Sequence, residues 1–110
     1  MENNHLHGGI NGFNKKIWKM NNINKSESEL SCELEYLSKH LEEGYPGNLN
    51  LTVKYIFNNR NEFSIEFAAI SDQDTLVNLT NHNYWNFHGH GQFYQNIINH
   101  SVKIYSEKYC

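Results

Sequence analysis

From Leu49 to Phe57 apolar and polar residues alternate, with Leu49, Leu51, Val53, Tyr55 and Phe57 separated by Asn50, Thr52, Lys54 and Ile56. Successive side chains of a strand point to opposite sides, so this spacing predicts a strand with one buried face. The alternation resumes at Phe63, Ile65, Phe67 and Ala69, beyond Asn58, Asn59, Arg60 and Asn61, a cluster that tolerates left-handed backbone. Two such runs around such a turn predict an antiparallel hairpin. Upstream, Leu30, Cys32, Leu34 and Tyr36 alternate with Ser31, Glu33 and Glu35. The Glu and Leu content of Ser26 to Leu41 also suits a helix, but the strict alternation inside it favours a strand. Thr75 to Leu79 and Ile97 to Tyr105 read as two further strands, Asn21 to Ser28 as a polar surface loop, and Glu42 to Asn48 as a tight, shaped turn around Pro46. At least five strands and no convincing helix predict an all-β chain of antiparallel sandwich type.

A length of 110 residues leaves room for one domain, spanning 1–110. The hydrophobic share of 38% allows only a modest core, helped by 14% aromatic residues. Nine basic against twelve acidic residues give a net charge of −3, and no basic run could track a phosphate backbone, so nucleic acid is not an expected partner. No apolar stretch approaches the roughly 20 residues needed to cross a bilayer, and MENNHLHGG lacks the features of a secretory signal. A cytoplasmic protein without a membrane partner is the expectation. Cys32 and Cys110 are too far apart for a metal knuckle and read as free thiols.

Two segments concentrate groups able to do chemistry: Asn4 to Trp18 (NHLHGGINGFNKKIW) and Asn78 to Gly89 (NLTNHNYWNFHG). Glycines flank the histidines in both, which suggests backbone passing close to something. Imidazole exchanges a proton near neutral pH, and rings such as Tyr84 and Trp85 can stack on the apolar face of a sugar. His7 and His82 can equally be polar residues at strand ends, hydrogen-bonded to local backbone. His5/His7 and His88/His90 are His-x-His pairs, a spacing that aims both rings to one side of a strand, yet no cysteine or carboxylate stands out as a third ligand. No metal is therefore assigned, and His88 and His90 read as loop residues.

Together the segments resemble the aldose 1-epimerase (galactose mutarotase) family. Its LHGGxxGF…W pattern matches Leu6 to Phe13 with Trp18, and its EEGYPGNL turn matches Glu42 to Leu49. The following VxY matches Val53 to Tyr55, and NLTNHxYxN matches Asn78 to Asn86. The resemblance implies a large antiparallel β-sandwich of which this chain is an incomplete, N-terminal and central part, members being about three times as long. It implies interconversion of the α and β anomers of a free aldohexose such as galactose or glucose, by acid/base ring opening and without a cofactor. By motif, His82 matches the general acid, while His7, Asn83, Tyr84 and Asn4 match sugar contacts.

The family's general base, a glutamate toward its C-terminus, has no match here, nor do its substrate-binding arginine and aspartate. Glu42 and Glu43 are the carboxylates beside a shaped turn, and the resemblance makes that turn structural. The chain is therefore expected to be inactive alone, with a non-catalytic carbohydrate-binding remnant as the alternative. Unpaired edges and an uncovered apolar face further predict marginal stability, self-association or a complementary chain. Asn14 stands where the family's GFDK has aspartate, and His40-Leu41 where it has Asp-Gly.

Overall fold

The computed structural model describes residues 5–90 and 96–108. The chain divides into two units, Met1–Thr80 and Asn81–Cys110. The first is built on four strands, β1 (Lys19–Lys25), β2 (Glu29–Ser38), β3 (Leu49–Asn58) and β4 (Phe63–Ser71), in one antiparallel sheet of order β1-β2-β3-β4. Short 3-10 turns at Phe13–Lys15 and Glu42–Gly44 complete its regular structure, and no α-helix occurs among the described residues. The all-β expectation holds, and this sheet is one layer of an incomplete sandwich.

Register explains why β2, β3 and β4 were legible. Cys32 pairs with Tyr55, Leu34 with Val53 and Tyr36 with Leu51, while Leu51 pairs with Ala69, Val53 with Phe67 and Tyr55 with Ile65. Partners directly opposite in a ladder share a face, so the alternating residues of all three strands converge on one side. Leu49, Leu51 and Val53 form the buried core there, Leu51 being only 1% exposed. At the far end of β3 the same face opens to solvent, Phe57 being 49% exposed and its ladder partners Leu30 and Phe63 also exposed, as is Phe67 opposite Val53. The β3–β4 turn is fastened by Asn58, whose Oδ1 accepts from the Arg60 and Glu62 N–H groups at 3.0 and 3.1 Å. Asn61 takes the left-handed backbone that its position suggested, with φ of 61°.

Three expectations need correction. Asn21 to Ser28 is not a surface loop: Asn21–Lys25 completes β1, and Ser26 closes the hairpin, its Oγ accepting from the Glu29 N–H at 3.0 Å. Every residue of β1 is exposed, so the strand shows no period-two signal and forms through its ladder with β2. Thr75 to Leu79 forms no strand, having no ladder partner among the described residues. Ile97 to Tyr105 forms none either. It opens on a 3-10 turn at Ile97–Asn99, where the Asn96 side chain captures the Ile98 N–H at 3.2 Å and bends the backbone away from extension.

Candidate active site

The Leu6–Gly12 loop runs through successive left-handed residues, His7 (φ 55°), Gly8 (φ 73°) and Gly9 (φ 102°), closed by the Gly9 N–H donating to the Leu6 carbonyl at 3.2 Å. His7 is exposed at the head of this turn. Gly9 is required by its left-handed backbone and Gly12 by crowding against the main chain. A Cβ on Gly9 would overlap the Glu43 carboxylate and come within 2.8 Å of His5 Nε2, and one on Gly12 would overlap the His7 carbonyl oxygen. The loop's exit is pinned by Lys15, whose Nζ donates to the Ile10 carbonyl at 2.6 Å. Phe13 and Trp18 then close over Tyr36 of β2, with ring centroids 5.9 and 5.5 Å from it, and the Trp18 Nε1–H donates to the Phe13 carbonyl at 2.9 Å. The apolar ends of the LHGGxxGF…W pattern thus dock the loop onto the sheet.

The Glu42 to Asn48 turn meets this loop. Leu41 (φ 64°), Glu43 (φ 52°), Gly44 and Gly47 all have left-handed backbone, as the expected tight turn requires. The Glu42 carboxylate accepts from the Tyr36 hydroxyl at 2.8 and 3.1 Å and from the Ser38 hydroxyl at 3.2 Å, and pairs with Lys16 Nζ at 3.4 Å. Burial, then the hydrogen bond to Glu42 and its negative charge, push the Tyr36 phenol up to about 12. Glu43 accepts the Ile10 N–H at 2.9 Å on one oxygen and the Asn11 N–H at 3.1 Å on the other. Both carboxylates of the turn are therefore engaged in fastening elements together. Beside them His5 Nδ1 and the Tyr45 hydroxyl lie 2.6 Å apart, on one wall of an open cleft of about 550 Å³ also lined by Glu43, Asp74, Thr75 and Leu76. At the end of β4, both oxygens of Asp72 accept from Asn48, at 2.7 Å each, and these bonds hold its carboxyl below the usual range.

The second unit carries His82, Asn83 and Tyr84. The rings of His82 and Tyr84 are 5.2 Å apart and tilted by 47°, and the Asn83 N–H donates to Asn81 Oδ1 at 3.1 Å. His82, Asn83 and Tyr84 are all exposed. Trp85 and Phe87 stack at 6.1 Å, and the Phe87 N–H donates to His100 Nε2 at 2.9 Å. His88 packs edge-on against His100, with centroids 4.7 Å apart, a packing role that matches its reading as a loop residue. Among the described residues no cluster of three or more His, Cys, Asp or Glu could hold a metal ion. Asn4 lies outside the described residues. Sequence reasoning missed Glu43, Tyr45 and His5 as supports of the His7 loop. The only signal available was that both loops belong to motifs of one family, since Glu43 and Ile10 are far apart in the chain.

The family model described as aldose 1-epimerase matches residues 2–110. The chain is similar to the aldose 1-epimerase of Escherichia coli (strain K12), with 35% identity over 106 residues, covering 96% of this chain and 29% of that protein. It is likewise similar to the galactose mutarotases of Mus musculus (38% identity) and Homo sapiens (37%), each over 108 residues, covering 98% of this chain and 29% of the relative. It thus spans 29% of the length of these curated relatives. With the glycine-crowded histidine loop, the EEGYPG turn and the β2–β3–β4 sheet in the order the family motifs require, and a family match along nearly its whole length, this chain belongs to the aldose 1-epimerase family.

Proposed function

We propose that the chain supplies the acid side of an anomer-exchange site for free aldohexoses such as galactose or glucose. His82 protonates the ring oxygen while a carboxylate removes the proton from the C1 hydroxyl. The C1–O5 bond breaks, the open-chain aldehyde rotates, and reclosure with the protons returned gives the other anomer. His7, Asn4, Asn83 and Tyr84 contact the sugar. Proton transfer is the only chemistry, so no cofactor is invoked. The observation that carries this reading is the His7 loop, which presents an exposed imidazole from a backbone that glycines and Glu43 fix in place.

The base is not one of these 110 residues. Glu42 and Glu43 already accept hydrogen bonds from Tyr36, Ser38 and the Ile10 and Asn11 amides, which argues against their acting as a substitute. The 110 residues alone are therefore inactive, and a partner chain or covalent continuation completes the site and covers the open end of the sheet face at Leu30, Phe57, Phe63 and Phe67. The assembled protein works in the cytoplasm. Grafting the chain in place of the matching 106-residue segment of the Escherichia coli relative tests the reading. The chimera is expected to speed the optical-rotation decay of freshly dissolved α-galactose, and the isolated chain is not. A folded chimera that leaves the decay at the buffer rate refutes the assignment. A cooperative, monomeric unfolding transition for the isolated chain refutes the need for a covering partner.

The exposed aromatic row Tyr84, Trp85 and Phe87 favours a second reading, a carbohydrate-binding remnant that stacks sugars without turning them over. Galactose titration followed by the fluorescence of Trp18 and Trp85 tests it, and a flat response into the high millimolar range removes it.

A further inference from the structure

We propose that Glu43 is a positioning residue that sets the direction of the His7 imidazole by clamping the loop from both of its carboxylate oxygens. The proposal rests on the reading of His7 as a sugar contact. One oxygen takes the Ile10 N–H and the other the Asn11 N–H, at 2.9 and 3.1 Å, so the two amides immediately after the His7-Gly8-Gly9 turn share a single anionic acceptor. Hydrogen bonds to an ionised acceptor are stronger than neutral ones, and a two-point attachment fixes orientation as well as distance.

Three further observations bear on the tie between the turn and the loop. Gly9 lacks a Cβ where one would overlap that carboxylate, so the loop is shaped around it. Glu43 itself stands at φ of 52°, a left-handed conformation that is costly for a residue with a side chain, and such outliers persist only where surrounding contacts hold them. The next turn residue but one, Tyr45, reaches His5 through its hydroxyl at 2.6 Å, which gives the loop a second point of attachment on the other side of His7. Glu42, its neighbour, faces the sheet through Tyr36 and Ser38. The adjacent glutamates thus divide the labour: Glu42 ties the turn to β2, and Glu43 ties the turn to the loop.

Glu43→Gln keeps the shape of the side chain but turns one acceptor into a donor that faces an N–H. In the isotope-labelled 110-residue chain, this variant is expected to speed amide exchange at Ile10 and Asn11 by about tenfold or more and to shift the His7 ring resonances, with Leu51 and Val53 protected as in the parent. Gly9→Ala, which pushes a methyl toward the same carboxylate and also strains the left-handed backbone at φ of 102°, is expected to move the His7 resonances as well. Unchanged exchange at Ile10 and Asn11 in Glu43→Gln overturns the proposal. Equal loss of protection at Leu51 and Val53 in both variants also overturns it, since Glu43 would then support the whole fold and not the loop. Adding galactose to the parent separates the proposal from the function it rests on. If the His7 ring is indifferent to sugar while Glu43→Gln still releases the loop, the clamp stands and the sugar contact falls.

Discussion

Replacing Tyr36 with phenylalanine removes one hydroxyl and leaves its packing against Phe13 and Trp18 in place. That hydroxyl donates to the Glu42 carboxylate at 2.8 and 3.1 Å. A hydrogen bond to a charged group contributes about 1.5–3 kcal/mol, and the remaining solvent access of Glu42 places this one toward the lower end, about 1–2 kcal/mol. The pH dependence gives an independent magnitude. The folded-state phenol is raised to about 12, so its stabilising contribution is complete below the unfolded value near 10 and is lost as pH rises from there through the folded value. At pH 11 the unfolded phenol is largely ionised and the folded one is not, which, with the partial solvent access of Tyr36 allowed for, costs the parent on the order of 1 kcal/mol relative to pH 8. Tyr36→Phe has no such loss. Urea unfolding of the chimera, followed by circular dichroism at the two pH values, should show the Tyr36→Phe form less stable at pH 8, with the gap closing toward pH 11. Equal stability at pH 8, or a gap that does not change with pH, refutes the role given to the Tyr36–Glu42 pair.

Leu51→Ala, at the most buried side chain of the core, is expected to cost about 2–5 kcal/mol and to abolish a measurable urea transition. Leu41→Gly is expected to stabilise by about 0.5–1 kcal/mol in the same assay, because the exposed Leu41 side chain sits at φ of 64°, where glycine carries no steric penalty. Asp72, whose carboxyl is held low by Asn48, contributes stability that is present above the ordinary aspartate value and lost as pH falls through its lower folded value. Thermal melts at successively more acidic pH should therefore show a steeper loss for the parent than for Asp72→Asn.

What the sequence disclosed follows from where side-chain burial is regular. β2, β3 and β4 each place alternate residues on one shared face, so hydrophobic periodicity reports them directly. β1 (KMNNINK) is an edge strand with every residue exposed, and its formation depends on the β2 ladder, which no local pattern encodes. At Ile97 the apolar run suggested extension, but an Asn96 side chain satisfied the backbone locally and a turn resulted. For the candidate site, motif resemblance singles out His7 and His82 as candidates but is silent on what holds them. Leu41 shows the limit most clearly. A loop position of this kind carries no periodic signal, whereas its left-handed backbone, with φ of 64°, gives a residue with a side chain a cost there. The engagement of Glu42 and Glu43 by partners from distant positions likewise became visible only in three dimensions.

The assignment of His82 as general acid is tested most directly by the initial rate of α-galactose optical-rotation decay in the chimera, compared with the same chimera carrying His82→Ala. Loss of one partner of an acid/base pair predicts a fall of about 10²–10⁴-fold with the fold intact. A variant that retains a rate close to that of the unsubstituted chimera contradicts the assignment and leaves TNHNY as a polar loop.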